Sequence, residues 1–316
     1  MKKLSNFAMC CFVAVSCSLF SCSSDVYNEK ENSQSKLITD LERINQELLS
    51  TLPSETKGWN NWNQEEKMKV VCADLVGAWA GANKGLSFGV KVGIGIGAPH
   101  LVGGGFCALG ALVGGAWSSW MAAPTRSVEY DNFEEIQNTC KVIVAEDFSI
   151  NRNAVIIKNE NANNKINVSP DLLAETKLDE RSLSIAEMHN IVLSTLDGSV
   201  TLDKTMIDIS EENLKNDILN NKEFMDTCRA VGVRVQSGDF GTDDDLSAKI
   251  IFLFNRIVED YASKTDDVAF IIGKYMEVIQ GTTELTNDQK EIIKCGLATG
   301  LYSANYWENR YNEIVK

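Results

Sequence analysis

Regularly spaced glycines limit the folds open to this chain more than any other sequence feature. Four residues advance an α-helix by about 400°, so glycines at every fourth position form one slowly drifting groove along a helix. Each glycine inside a helix costs roughly 1 kcal/mol relative to alanine, so an isolated helix of this composition would be unstable. The sequence therefore predicts that a second backbone packs closely into the groove. The glycines of the groove are Gly77, Gly81, Gly85, Gly89, Gly93 and Gly97.

A second glycine-rich stretch follows Pro99 and predicts the partner helix. Leu101 to Met121 contains no charged residue and would measure about 32 Å as a helix, close to the ~30 Å hydrocarbon thickness of a bilayer. Proline interrupts a helix interior and glycine favours its C-terminal cap, so residues 97–100 are expected to form a hairpin turn. One face of the second helix carries small side chains and is expected to pack closely. These are Gly104, Ala108, Ala111 and Gly115.

The polar residues of the first glycine helix leave its environment open. Asp74 and Asn83 interrupt it, and Lys84 and Lys91 fall within about 20° of each other, away from the local glycine groove. Such a strip is typical of the water-facing side of a soluble hairpin. It is equally typical of the lining of a self-assembled pore, and periodicity does not separate the two.

The N-terminus predicts a secreted, lipid-anchored protein. Lys2 and Lys3 precede an apolar run that is too short to span a bilayer, which indicates a signal peptide over residues 1–21. Leu19-Phe20-Ser21-Cys22 looks like a lipobox, although Phe20 departs from the small residue usual there. Cys22 would then be the acylated N-terminal residue, with palmitate among its acyl groups. The alternative is an ordinary cleaved signal with incidental cysteines.

The residue after Cys22 bears on location. Ser23 takes the place of the aspartate that, in the enterobacterial pattern, holds lipoproteins at the inner membrane. We therefore expect a lipid anchor in the outer membrane of a bacterial cell envelope and a hairpin that is kept out of lipid.

Charge and cysteine content narrow the partners. The chain has 316 residues and a formal net charge of −14, and removing the signal peptide takes away two lysines and no acid. An acidic surface repels phosphate backbones, so no nucleic-acid partner is expected. The odd, scattered cysteines beyond Cys22 argue against a disulfide framework or a zinc site and predict buried thiols. They are Cys72, Cys107, Cys140, Cys228 and Cys295.

The remaining sequence predicts an all-α helical bundle around the glycine hairpin. Residues 22–34 form a polar tether, 35–124 an amphipathic helix followed by the hairpin, 125–170 an irregular connector, and 171–316 a helical domain. Within the connector, residues 141–144 and 154–157 are expected to form at most a short strand pair. The last helix starts at Thr286, and its small residues Gly296, Gly300 and Ala304 predict docking against the hairpin.

No residue pattern predicts catalysis, a cofactor or a metal. The two histidines are His100, in the expected turn, and His189, in a helix, and neither is accompanied by a serine or cysteine motif. The run from Asp243 to Asp245 precedes a helix and is expected to cap it rather than bind calcium. The glycine segments lack a phosphate-binding pattern, so no nucleotide site is expected.

Several patches together resemble uncharacterised glycine-zipper lipoproteins of Bacteroides-type bacteria. They are the Cys22 lipobox, the approach to the glycine helix from Ala73 to Ala82, and the pairs His189-Asn190 and Tyr306-Trp307. The resemblance implies an envelope location and attaches no activity.

Two functions follow as hypotheses. The first is a structural or interaction lipoprotein whose hairpin serves internal contacts or homo-oligomerisation. The second is a membrane-inserting, pore-forming antagonistic toxin whose hairpin is masked by the C-terminal helices until it meets a target bilayer.

Overall fold

The computed structural model describes residues 35–51, 62–96, 99–123, 132–206, 213–237 and 245–314. These residues form an all-α bundle with one two-stranded sheet, which confirms the predicted fold class. The helices, in chain order, are α1 (Lys36–Thr51), α2 (Trp62–Ile96), α3 (Pro99–Ala122), α4 (Phe133–Ile143), α5 (Glu160–Ile166), α6 (Pro170–Thr176), α7 (Glu180–Leu196), α8 (Leu214–Asn220), α9 (Lys222–Gln236), α10 (Leu246–Tyr261), α11 (Thr265–Gly281) and α12 (Asn287–Ile314). The strands are β1 (Val155–Ile157) and β2 (Val200–Leu202), and short 3-10 turns occupy Arg152–Ala154 and Lys204–Met206.

The antiparallel hairpin of α2 and α3 forms the most extensive contact between two described elements. A Cβ atom added at Gly77 would lie 2.6 Å from the carbonyl oxygen of Gly114. One added at Gly81 would overlap the carbonyl of Gly110. The same relation repeats one turn later, where a Cβ at Gly85 would overlap the carbonyl of Phe106. From Gly77 to Gly89, therefore, the two backbones approach closely enough to leave no room for a side chain.

The face of α3 that meets α2 differs from the expected one. Gly103, Gly110 and Gly114 lie against α2, because only positions without a side chain allow two backbones to approach as closely as they do here. Gly104 instead lies beneath Arg181 of α7. A Cβ at Gly115 would touch Ala78, but also side chains of α7 and α12. Ala108 and Ala111 are buried, as is Gly93 of α2, whereas Gly97 lies outside the described residues.

The C-terminal helix docks on the hairpin, as the sequence predicts. A Cβ at Gly296 would lie 3.2 Å from the carbonyl oxygen of Leu75, and one at Gly300 would lie 3.3 Å from Leu75 Cβ. On the other side, α9 presses Gly232 against the ring of Trp117, and Phe224 makes an edge-to-face contact with Phe106 at 5.0 Å between ring centroids. The hairpin is thus covered from both sides.

Burial of α3 follows from this cover. Val102–Ala122 is the one described helical segment long and apolar enough to cross a membrane, and 94% of its apolar window is buried inside the protein. A core helix of a soluble protein passes the same test of length and composition. The burial of this segment is therefore compatible with a structural hairpin and with a membrane-inserting hairpin that other helices mask.

Helix α1 turns its apolar stripe towards α10 and α11. The stripe consists of Leu37, Leu41, Ile44 and Leu48, all buried. Asn45 fixes the register, because its amide donates to the Leu253 carbonyl (3.1 Å) and its Oδ1 accepts from the Tyr275 hydroxyl (2.8 Å).

The expected irregular connector contains regular structure, and one expected strand is wrong. Residues 141–143 end α4, in which Phe133, Ile136, Cys140 and Ile143 are buried at helical spacing of three and four. The β-branched run there suggested a strand, but the periodicity of the whole segment decides its structure. The second expected strand does form as β1, and it pairs antiparallel with β2 through Val155–Leu202 and Ile157–Val200.

Gly81→Ala tests the backbone contact. The added methyl has to displace the α3 backbone, so we expect the free energy of unfolding to fall by about 1–3 kcal/mol or more. Gly281→Ala is the matched control, because this exposed helical glycine has nothing within 4 Å of an added Cβ. The control is expected to gain up to about 1 kcal/mol. Urea unfolding of both variants measures the difference, and equal stabilities would contradict the zipper contact.

Candidate functional site

A buried carboxyl group stands at the centre of the bundle. Asp74 of α2 is completely buried, and its Oδ2 accepts hydrogen bonds from the hydroxyls of Ser119 (2.9 Å) and Ser303 (2.5 Å). Ser119 belongs to α3 and Ser303 to α12. One carboxyl therefore links both helices of the hairpin to the C-terminal helix.

His189 of α7 completes the cluster, and its neighbours fix its tautomer. The Asn190 side-chain nitrogen donates to the carbonyls of Lys165 (2.8 Å) and Tyr302 (2.7 Å), so Asn190 Oδ1 faces the imidazole. His189 Nδ1 lies 3.1 Å from that oxygen and therefore carries the proton. His189 Nε2 lies 3.6 Å from Asp74 Oδ2, which is beyond hydrogen-bond distance, and the backbone of Gly115 also interacts with the ring.

Among the described residues, this cluster contains several buried polar atoms without a hydrogen-bond partner. Buried polar groups are nearly always hydrogen-bonded, and each exception costs about 1–3 kcal/mol. The cluster is therefore a poor stabilising device, and such exceptions concentrate at functional sites. The unpartnered atoms are Asp74 Oδ1, Ser118 Oγ, His189 Nε2 and Thr299 Oγ1.

Burial shifts the pKa of both titratable groups of the cluster towards the uncharged form. It raises the pKa of Asp74 well above its ordinary value, against the opposing effect of hydrogen bonds from Ser303, Ser119 and Trp307. It lowers the pKa of His189 to about 4. Both shifts favour a neutral acid beside a neutral base over an ion pair.

This arrangement can hold a proton but cannot act as a hydrolytic triad. In a triad the histidine takes the proton of a nucleophilic hydroxyl, while the carboxylate orients the other ring nitrogen. Here Ser119 and Ser303 both bond to Asp74, and His189 is oriented by an amide. The side chains of Asp74 and His189 are also fully buried, so no substrate reaches them.

A second buried cluster surrounds Asp197, at the C-terminal end of α7. Lys165 lies 3.0 Å from Asp197 Oδ2, both side chains are almost fully buried, and the Tyr306 hydroxyl donates to the same oxygen at 2.8 Å. Burial alone would raise the pKa of Asp197, but hydrogen bonds from Ser199, Lys165 and Tyr306 hold the pKa below its usual range. This cluster carries charge and ties α5 and α7 to α12.

The sequence analysis named some residues of these clusters but did not predict that they come together. The pairs His189-Asn190 and Tyr306-Trp307 supplied the family resemblance, and they belong to the two clusters. In the sequence, Asp74 stands out only as an interruption of an apolar helix. A single acid among alanine, valine and glycine was the available signal, because such a residue has to be buried.

The other residues singled out in the sequence lie elsewhere. Asp245 is the N-cap of α10, where its side chain accepts from the Ser247 backbone, while residues 243 and 244 lie outside the described ranges. Cys22 also lies outside them. His100 belongs to the first turn of α3. In the described part of the chain, no group of three or more His, Cys, Asp or Glu side chains could hold a metal ion.

Two cavities border the hairpin. One, of about 400 Å³, lies beside Trp79 and α10. The other, of about 410 Å³, lies between α2, α3, α7 and α12 and is lined by Cys107, Arg181 and Cys295 among others.

No known protein-family model, curated protein or solved structure matches this chain. The fold and the clusters therefore define the class of protein by themselves. It is an all-α bundle built on a buried glycine hairpin.

Asp74→Asn separates the two titrations. In the wild type, Asp74 favours folding at low pH, and its contribution is lost as pH rises from about 4, where the unfolded carboxyl ionises. His189 acts in the opposite sense, because the unfolded imidazole binds a proton between pH 6.5 and about 4 and the folded one does not. These slopes oppose each other in the wild type.

The asparagine variant keeps only the histidine effect. The histidine alone should raise its free energy of unfolding by about 3 kcal/mol between pH 4 and 6.5, and the wild type should show a smaller rise, measured by urea unfolding. Asp217→Asn, on the exposed surface of α8, should leave the wild-type profile unchanged. A variant profile parallel to that of the wild type would show that Asp74 is ionised in the folded protein.

Proposed function

We propose that this chain is a lipid-anchored protein of the bacterial outer membrane whose helical body acts as a structural or interaction module. The observation that carries the proposal is the internal use of the glycine groove. The α3 backbone already occupies the described groove from Gly77 to Gly89, so the hairpin serves as the spine on which the other helices assemble.

The same contact bears on homo-oligomerisation. A second copy could use the groove only by displacing α3, whose backbone lies within van der Waals distance of α2. An oligomer of the folded protein would therefore form through other surfaces. The proposal assigns the zipper to the interior of one chain.

Two sequence features support the location. The lipobox places Cys22 thirteen positions before the first residue of the described body, Ser35, which leaves a polar tether between lipid and protein. The resemblance to uncharacterised glycine-zipper lipoproteins of Bacteroides-type bacteria points the same way. The acidic net charge of −14 disfavours a nucleic-acid partner.

Cys22→Ala tests the anchor. Cells that express the wild-type chain should incorporate labelled palmitate into this protein, and the variant should lose all of the label because the acylated thiol is gone. Cys17→Ala is the matched control, since it removes a cysteine from the apolar signal run and should retain the label. Equal labelling of Cys22→Ala and the wild type would reject the lipid anchor.

A second candidate function is membrane insertion by the hairpin. The observation that favours it is the cover over α3, an uncharged segment long enough to span a bilayer that lies almost wholly beneath other helices. Amphipathic helices that mask an apolar hairpin can release it, and the hairpin then exchanges protein contacts for lipid. Asp74 is compatible with that exchange, because its raised pKa favours the uncharged form.

A reversible lock between α2 and α12 tests this candidate. Leu75→Cys combined with Gly300→Cys places two β-carbons about 3.3 Å apart, near the ~3.5–4.5 Å typical of disulfides. If the hairpin inserts, the wild type should release dye from liposomes at mildly acidic pH. The oxidised lock should suppress that release, and reductant should restore it.

The wild type treated with the same reductant is the control for this comparison. Leakage that is unaffected by the lock would show that the hairpin does not need to leave α12. Absence of leakage from the wild type at neutral and mildly acidic pH would reject membrane insertion and leave the structural role.

A further inference from the structure

A pair of cysteines far apart in sequence meets at the cavity between α3, α7 and α12. Cys107 of α3 and Cys295 of α12 both line this cavity of about 410 Å³, and each thiol is the largest single influence on the pKa of the other. A disulfide between them requires the two sulfurs to come within about 2.05 Å of each other. The odd cysteine count gave no hint of this pair.

The cavity gives the pair a route to solvent. Both thiols are nearly buried, with relative exposures of 7% for Cys107 and 4% for Cys295. Ile94, which lines the same cavity, is 67% exposed, so the cavity reaches the surface along the end of α2. A compact reagent can therefore approach the sulfurs without unfolding the bundle.

The surroundings distinguish the two thiols. The neighbouring Cys295 thiol lowers the pKa of Cys107 and the positive charge of Arg181 adds to this, whereas burial and the carboxylates of Glu291 and Asp288 raise it. Arg181 is held over the site, since its guanidinium donates to the Gly104 carbonyl at 2.8 Å. The pKa of Cys295 is raised well above the ordinary value by the same sulfur contact and by burial. We take Cys107 as the first nucleophile, because Arg181 binds the backbone one helical turn before it and a nearby positive charge favours the reactive thiolate.

We propose that Cys107 and Cys295 are a redox-active dithiol that a small disulfide substrate, entering the cavity, oxidises to an intramolecular disulfide. The Cys107 thiolate attacks one sulfur of the substrate, and the substrate S–S bond breaks to release one thiolate. Cys295 then loses its proton and attacks Cys107 Sγ, which breaks the mixed disulfide and releases the second thiolate. The substrate gains two electrons and takes up two protons, and the two cysteines lose them.

The aromatic disulfide dithiodipyridine is the probe, applied to the folded full-length chain. Peptide mapping of the wild type should find Cys107 joined to Cys295. Cys295→Ser should stop at the first step and keep the probe attached to Cys107, while Cys107→Ser should leave Cys295 unmodified. Circular dichroism establishes that each variant is folded.

Cys140 and Cys228 provide the matched control within the same protein. The charge that Cys228 would carry raises the pKa of Cys140, so these two thiols also influence each other. Both are completely buried, and burial raises the pKa of Cys228 to about 12. They should remain thiols in the folded chain. The proposal is overturned if Cys107 and Cys295 also stay reduced in the folded wild type, or if the wild type accumulates a mixed disulfide at Cys107 that Cys295 never resolves.

Discussion

The backbone contact between α2 and α3 is the interaction on which the rest of the structure depends. A helix with glycine at every fourth position offers little side-chain surface of its own, so α2 gains its stability from α3. Helix α3 in turn carries no charged residue and has no polar face to present to water. It has to be covered, and α7, α9 and α12 supply that cover with apolar faces of their own. The glycine spacing thus leads, step by step, to a bundle with the hairpin inside.

The polar cluster is a consequence of the same contact. Because α2 and α3 approach to backbone distance at Gly77, the hydroxyl-bearing end of α3 is brought alongside Asp74, and Ser119 reaches its carboxyl. Helix α12 adds Ser303 from the opposite side. The cluster carries several unpartnered polar atoms, so it offsets part of the free energy that apolar burial around it supplies. Replacing hydrogen-bonded pairs of this kind by apolar groups of the same shape can be nearly neutral or stabilising, so stability alone does not explain the cluster.

Local periodicity in the sequence predicted the helices and the hairpin well. The stripe of α1, the glycine groove and the docking of α12 all arise from residues spaced at three and four, which define a helix face without knowledge of the fold. The packing face of α3 was missed because glycine and alanine both count as small, whereas only glycine lets the carbonyl of a neighbouring helix reach its backbone. Residues 141–144 were misassigned because a β-branched run outweighed the helical spacing around it. The clusters of Asp74 and Cys107 were beyond reach, since each joins residues from distant helices.

The hairpin contact also determines where any opening of this bundle would occur. The contact at the glycine groove gains nothing from moving into lipid, because close backbone contact between two helices is as favourable in a bilayer as in a protein core. The α2–α3 pair would therefore move as a unit, and separation would fall at its outer surfaces. Helix α12 would have to give up the contact of Gly300 with Leu75 and the Ser303–Asp74 hydrogen bond. Helix α9 would have to give up the contact of Gly232 with Trp117. Since the carboxyl favours its uncharged form, losing the serine hydrogen bonds costs less than exposing an ion would. Whether the hairpin stays covered is therefore decided by the packing of α12 and α9 against it, and not by the glycine contact between α2 and α3.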